Sequence, residues 1–171
     1  DDAATWHKAL RKLNHGAPAV IAKPAATTLT ALRTTQSLSK ADYTPSNGAS
    51  YPSNDVGDSL SNVAQLIKAK VGLRVAAVDC GNWDMHVGLG APDGGWMHDN
   101  LTGFGNALAA FATDLGPAMS RVVVVTLSEF GRRVMENDSG GVDHGHGNAV
   151  FVMGGGIRGG SVYGHWPGLA P

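Results

Sequence analysis

The sequence predicts an α/β domain with a mostly parallel sheet flanked by helices. Three observations carry that expectation. Apolar residues recur at helical spacing in two segments, three short apolar runs read as buried strands, and the two kinds of segment alternate along the chain. The runs fall at residues 73–78, 122–127 and 149–153. An order of strand, loop, helix, strand, loop, strand suits a doubly wound sheet, in which polar loops emerge beyond the carboxyl ends of strands and collect ligands.

Each element has its own reason. Trp6, Leu10 and Leu13 share one helical face, Gly16-Ala17-Pro18 breaks the helix, and Leu29 and Leu32 resume the spacing. Residues 42–58, rich in Ser, Asn, Asp, Pro and Gly, read as a loop that ends at Asp58 or Ser59, either of which can cap a following helix. In that helix Leu60, Val63, Ala64 and Ile67 fall at i, i+3, i+4 and i+7, Lys68 and Lys70 suit the negative end of the dipole, and Gly72 stops it. Residues 73–78 follow as the first strand. The loop 79–95 holds Asp79, Asp84, His86 and Asp93. A second helix over 101–115 keeps Leu101, Phe104, Leu108, Ala112 and Leu115 in phase and stops at Gly116-Pro117. Residues 122–127 read as a central strand buried on both faces, residues 128–148 as a second polar loop, and residues 149–153 as the last strand.

Composition narrows the function classes. The 171 residues carry a formal net charge of −1, so a basic nucleic-acid surface is not expected, and no apolar run approaches the ~18 residues of a membrane span. The 24 glycines and 8 prolines give loops an unusual share of the chain. A lone cysteine, Cys80, excludes an intrachain disulfide and leaves the compartment open. The sequence opens at Asp1 without an initiator Met and stops at Pro171 inside a Gly/Pro-rich stretch, so a fragment of a longer protein is expected, and the lack of a visible signal peptide says nothing about export. It divides into a helical segment with its loop, 1–58, and a sheet core, 59–171, of one partial domain.

Three constellations can do chemistry. In Trp83-Asp84-Met85-His86 a carboxylate and an imidazole two apart on an extended loop can turn to one point, which suits a divalent metal. In Ser128-Glu129-Phe130-Gly131-Arg132 a carboxylate follows the most apolar strand, where it needs a cation or a hydrogen-bond partner, and Arg132 or Arg133 is the bland candidate. The strongest local signal is Asp143-His144-Gly145-His146-Gly147-Asn148, with one carboxylate and two imidazoles among glycines that admit a ligand to the backbone. A Gly-rich turn with surface histidines is the plain alternative.

Look-alikes are set against these. Gly154, Gly156 and Gly159 fit a dinucleotide fingerprint, but the residues after them cannot open a good helix. Gly57-Asp58-Ser59-Leu60 with Asp143-x-x-His146 spells a serine esterase signature, giving a rival triad of Ser59, Asp143 and His146. Ser59, however, follows turn-forming sequence and suits a helix cap better. Asn100-Leu101-Thr102 and Asn137-Asp138-Ser139 match the glycosylation pattern, which is too short to carry weight.

Taken together, the Ser-Glu-Phe-Gly-Arg, Gly-Gly-Val-Asp-His-Gly, Gly-Gly-Gly-Ile-Arg-Gly-Gly and Val-Tyr-Gly stretches, with the earlier Trp-Asp-x-His, resemble the bacterial secreted family called domain of unknown function 1501. Through it the chain resembles the C-terminal part of the alkaline phosphatase and sulfatase superfamily. The resemblance implies an alkaline-phosphatase-like fold, export to the periplasm, cell surface or exterior, and a metal site at the carboxyl edge of the sheet. By it, Asp84 and His86 come from one loop, Glu129 follows the central strand, His144 is the later ligand, and Asp143 or His146 supports, with Arg132 and Asn148 alongside. It implies Zn, Mn, Mg or Ca as cofactor and a small phosphate or sulfate ester as partner, with the nucleophile in a preceding half outside this sequence. Phe130 stands where the superfamily carries a histidine, which leaves a two-metal site one nitrogen short unless His146 substitutes. The alternative is a non-catalytic binding or structural module that keeps the fold without metals.

Overall fold

A computed structural model describes residues 2–36, 38, 43–165 and 168. Four α-helices lie among them, α1 (Asp2–Leu13), α2 (Ala19–Gln36), α3 (Asp55–Lys68) and α4 (Trp96–Leu115), and a 3₁₀ helix follows at Gly116–Arg121. The strands are β1 (Val123–Val125), β2 (Gly131–Glu136), β3 (Val142–Gly145) and β4 (Val152–Gly154). The chain divides into two compact units, Asp1–Thr44 with Gln65–Ala76, and Pro45–Ala64 with Ala77–Pro171. The first is a helical hairpin of α1 and α2, broken at Gly16 (φ 76°), with Leu29 buried.

The second unit carries most of the core. Val56, Leu60 and Ala64 are buried along one face of α3, spaced i, i+4 and i+8. Ala107, Ala110, Phe111, Asp114 and Leu115 do the same on α4, while Met85 is buried in the loop ahead of it. The many alanines at these positions let backbones approach closely, so the core is thin and Phe111 is its largest fully buried side chain. Asp114 is 1% exposed, and its carboxylate accepts the Ser46 backbone N–H at 2.6 Å and the Tyr51 hydroxyl at 2.9 Å. The Asn47 amide donates to Thr113 O, satisfying a carbonyl at the C-terminal end of α4. These bonds staple the loop that enters α3 onto α4.

Helices α3 and α4 both begin about a turn earlier than their apolar spacing suggests. The cap of α3 is Asn54, whose Oδ1 accepts Gly57 N–H at 2.8 Å. Asp58 and Ser59, expected as caps, lie inside the helix. A Cβ at Gly57 would collide with Pro52 O, so only glycine lets the entering loop fold back onto the first turn. At its other end α4 stops at Gly116 (φ 50°), as Gly116-Pro117 predicts.

The sheets correct the expected architecture. Helices and strands mix as an α/β chain requires, but every pairing among the described residues is antiparallel, in two separate two-stranded sheets. β1 pairs with β4, Val124 opposite Met153, and the expected doubly buried strand keeps only three residues, with Val123 and Val125 about half exposed. Two strands alone leave both faces uncovered, which is why apolar content did not translate into burial. Residues 73–78 form no strand and Val75 is 85% exposed. Residues 149–153 contribute only their end to β4. The loop 128–148 is instead a paired ribbon, β2 against β3, with Arg132 opposite His144 and an irregularity between Arg132 and Glu136. Glycine makes this ribbon possible, since a Cβ at Gly131 would sit 2.6 Å from the His146 carbonyl carbon and one at Gly145 2.6 Å from Arg133 N.

Candidate functional site

The ribbon is docked by backbone hydrogen bonds against the loop that carries Asp84 and His86. Val142 N–H donates to Met85 O at 2.9 Å, Gly88 N–H to Ser139 O at 3.1 Å and Leu89 N–H to Gly140 O at 2.6 Å. Gly141 has no room for a side chain, because a Cβ there would run into the His86 carbonyl. The loop is also held to α4, by Trp83 edge-on to Phe104 with centroids 6.1 Å apart and by the Asn100 amide donating to Asn82 O. Segments about sixty residues apart in sequence are thereby fixed side by side.

Three side chains meet at this junction. Asp84 Oδ1 lies 3.1 Å from His86 Nε2 and 2.9 Å from His144 Nε2, and the two imidazole nitrogens are 3.1 Å apart. Arg132 organises the group from behind. Its Nη2 donates to Asp84 Oδ1 at 2.8 Å and to Trp83 O at 2.6 Å, and its Nη1 donates to Val142 O at 3.0 Å. His144 is stacked on Phe130 with ring centroids 3.8 Å apart, and the Arg132 guanidinium carbon stands 4.9 Å from the Phe130 centroid.

On its far edge the His86 ring meets a second carboxylate. His86 Nδ1 lies 3.0 Å from Asp143 Oδ1, so successive residues of β3, which project to opposite sides of the strand, address the two nitrogens of one imidazole. The Asn137 amide donates to that same Asp143 oxygen and to His86 O, each at 3.0 Å, while its own oxygen accepts Ser139 and Gly141 N–H.

The carboxylates are strongly held in their charged form. The His144 hydrogen bond first, and the Arg132 hydrogen bond second, bring the Asp84 carboxyl from an ordinary 3.8 down to about 2. The His86 hydrogen bond, then that of Asn137, lowers Asp143 below its ordinary 3.8. Both groups lie toward solvent, with side chains 60% and 46% exposed, so the cluster is open on one side.

Asp84, His86 and His144 form a donor set with the chemistry of a cation site. Ligands ~2.0–2.2 Å from a common ion lie roughly 2.9–3.4 Å from each other, and the three atoms are spaced within that range. Asp143 is placed as the partner of a ligand-type imidazole rather than as part of the triangle. Glu129, expected beside them, has no hydrogen-bond or ion-pair partner among the described residues and stays exposed, as does His146. Among the described residues, the Asn148 side chain accepts only its neighbour's N–H, at Ala149. The esterase triad is not assembled: Ser59 sits within α3, and Asp143 bonds His86 and Asn137 rather than His146. Asn137, singled out in the sequence only by a glycosylation pattern, opens Asn-Asp-Ser-Gly, a turn sequence whose side chain bonds its own backbone. Arg132, expected as a partner for Glu129 or as a supporting residue of the site, bonds Asp84 instead.

The family model described as Protein of unknown function (DUF1501) matches residues 14–171. No curated protein matches the chain, and no solved structure does. With a match running from Asn14 to the last residue, the chain belongs to the DUF1501 family of proteins of unknown function.

Proposed function

We propose that Asp84, His86 and His144 hold one divalent cation, and that the protein is a metal-dependent hydrolase of phosphate or sulfate esters. The observation that carries the reading is the triangle of three donor atoms at 2.9–3.1 Å. Asp84, His86 and His144 would hold the ion on the solvent-facing side of the cluster, where Asp84 is 60% exposed. Two imidazoles and one carboxylate favour Zn, Mn or Fe over Mg or Ca. A cation so placed supplies Lewis acidity toward a phosphoryl or sulfuryl oxygen and acidifies a bound water. The chain's own residues orient the donors: Arg132 fixes the Asp84 loop and Asp143 anchors His86. The ester class and an exported location follow the resemblance to the alkaline phosphatase and sulfatase superfamily.

The test is metal analysis of the purified full-length protein with zinc titration, followed by p-nitrophenyl phosphate and sulfate assays. One equivalent of metal is expected in the wild type, with loss in Asp84→Ala and His144→Ala. No stoichiometric metal in the wild type would end the reading. A second reading, a non-catalytic module, is favoured by one contact: Arg132 already neutralises the Asp84 oxygen that faces the imidazoles. Stoichiometric metal without turnover of either ester would select it.

A further inference from the structure

We propose that Asp143 and Asn137 form a positioning pair that keeps His86 protonated on Nδ1, leaving the Nε2 lone pair directed at the cation position. This inference rests on the metal reading for its purpose but stands on its own geometry. A neutral imidazole carries one N–H, and which nitrogen bears it is decided by the partner the other side offers. Asp143 Oδ1, 3.0 Å from His86 Nδ1, can only accept. On the opposite edge, His86 Nε2 faces both Asp84 Oδ1 and His144 Nε2 at 3.1 Å. In the metal-free protein a proton on His144 Nε2, 2.9 Å from Asp84 Oδ1, would serve that oxygen together with Arg132, and the cation would displace that proton on binding. A proton on His86 Nδ1 therefore leaves a lone pair at Nε2, the tautomer that a metal ligand needs.

Asn137 makes the arrangement specific to one ring orientation. Its amide N–H groups reach the Asp143 oxygen that accepts from His86 and the His86 carbonyl, so the carboxylate and the backbone behind the ring are tied to one side chain. Its oxygen simultaneously accepts Ser139 and Gly141 N–H, which fixes the turn joining β2 to β3. Every hydrogen-bonding atom of that amide is engaged, and the amide thereby sets the distance between the His86 loop and β3.

The experiment is a long-range ¹⁵N–¹H spectrum of histidine-labelled, metal-free protein, paired with zinc titration of each variant. Wild type is expected to show His86 as the Nδ1–H tautomer. Asp143→Ala removes the acceptor and should mix or invert the tautomer while lowering zinc affinity about 10–100-fold. Asp143→Asn keeps an amide oxygen able to accept both bonds, so it should fall between wild type and Asp143→Ala. Asn137→Asp keeps the oxygen that holds the turn but loses the donor to Asp143, and should lower zinc affinity with backbone amide shifts of the turn preserved. An Nε2–H tautomer in wild type would overturn the proposal, as would zinc affinities unchanged in all three variants. A wild type that binds no zinc but shows the Nδ1–H tautomer, lost in Asp143→Ala, would support the positioning pair and remove the metal reading alone.

Discussion

Replacing Asp114 by alanine tests how the second unit is held together. The carboxylate is 1% exposed and takes hydrogen bonds from Ser46 N–H and the Tyr51 hydroxyl at 2.6 and 2.9 Å. Hydrogen bonds to a charged group contribute about 1.5–3 kcal/mol each, and truncation also strands both donors, so Asp114→Ala should cost about 3–5 kcal/mol. Tyr51→Phe removes one donor and should cost about 1–2 kcal/mol. Because the two residues touch, the double variant should be less destabilised than the sum of the singles by about 1 kcal/mol or more. Urea unfolding of the four proteins at neutral pH, followed by far-ultraviolet circular dichroism with a common m-value, reads all of these numbers. A cost below about 1 kcal/mol for Asp114→Ala, or strict additivity in the cycle, would show that the staple between loop and helix does not hold the fold.

Two further outcomes follow from the site. The folded Asp84 carboxyl titrates near 2 against an ordinary 3.8, so its ionised form stabilises the fold fully above pH 3.8, and the contribution fades as pH falls through about 2. In Arg132→Met, carbon-13 NMR of the carboxyl should show that midpoint rise while remaining below 3.8, since His144 is the larger cause; an unchanged midpoint would contradict the Arg132 contact. Gly141→Ala pushes a methyl into the His86 carbonyl and should cost about 1–3 kcal/mol together with zinc binding. Gly81→Ala meets nothing within 4 Å and should change stability by less than about 0.5 kcal/mol. Equal effects of the two substitutions would sink the close-approach argument.

The helices were legible because their cause is local. Leu60 and Ala64 on α3 announce a buried face through spacing alone, whereas on α4 only Leu115 of the spaced set is buried, Leu101 is exposed, and the buried face runs through Ala107, Ala110, Phe111 and Asp114. Their starts were misjudged because Asp58 and Ser59 satisfy the composition of a cap, whereas Asn54 wins through its bond to Gly57 N–H. Strand identity depends on partners far along the chain, so residues 73–78 and 122–127 had the right composition without the pairing it suggested. The ribbon was hidden for the opposite reason. Gly131-Arg132-Arg133-Val134-Met135-Glu136 lacks alternation, and its pairing rests on glycines that let backbones meet. At the site, Asp84, His86 and His144 were readable as chemistry-bearing residues in polar loops. Side-chain direction was not, which is why Glu129 and His146 fall outside the group and Asn137 stood out only as a glycosylation look-alike.

Phe130 brings no donor atom to the site, yet its flat ring lies against His144 at 3.8 Å, tilted by 23°. An imidazole pressed on such a slab has already given up much of its torsional freedom when the chain folds. Immobilising a free side chain on binding costs roughly 0.5–1.5 kcal/mol, and a guest arriving at His144 is spared a share of that entropy. The aromatic ring also shades the imidazole protons magnetically, so any swing of His144 out of register would register as a downfield drift of its own resonances.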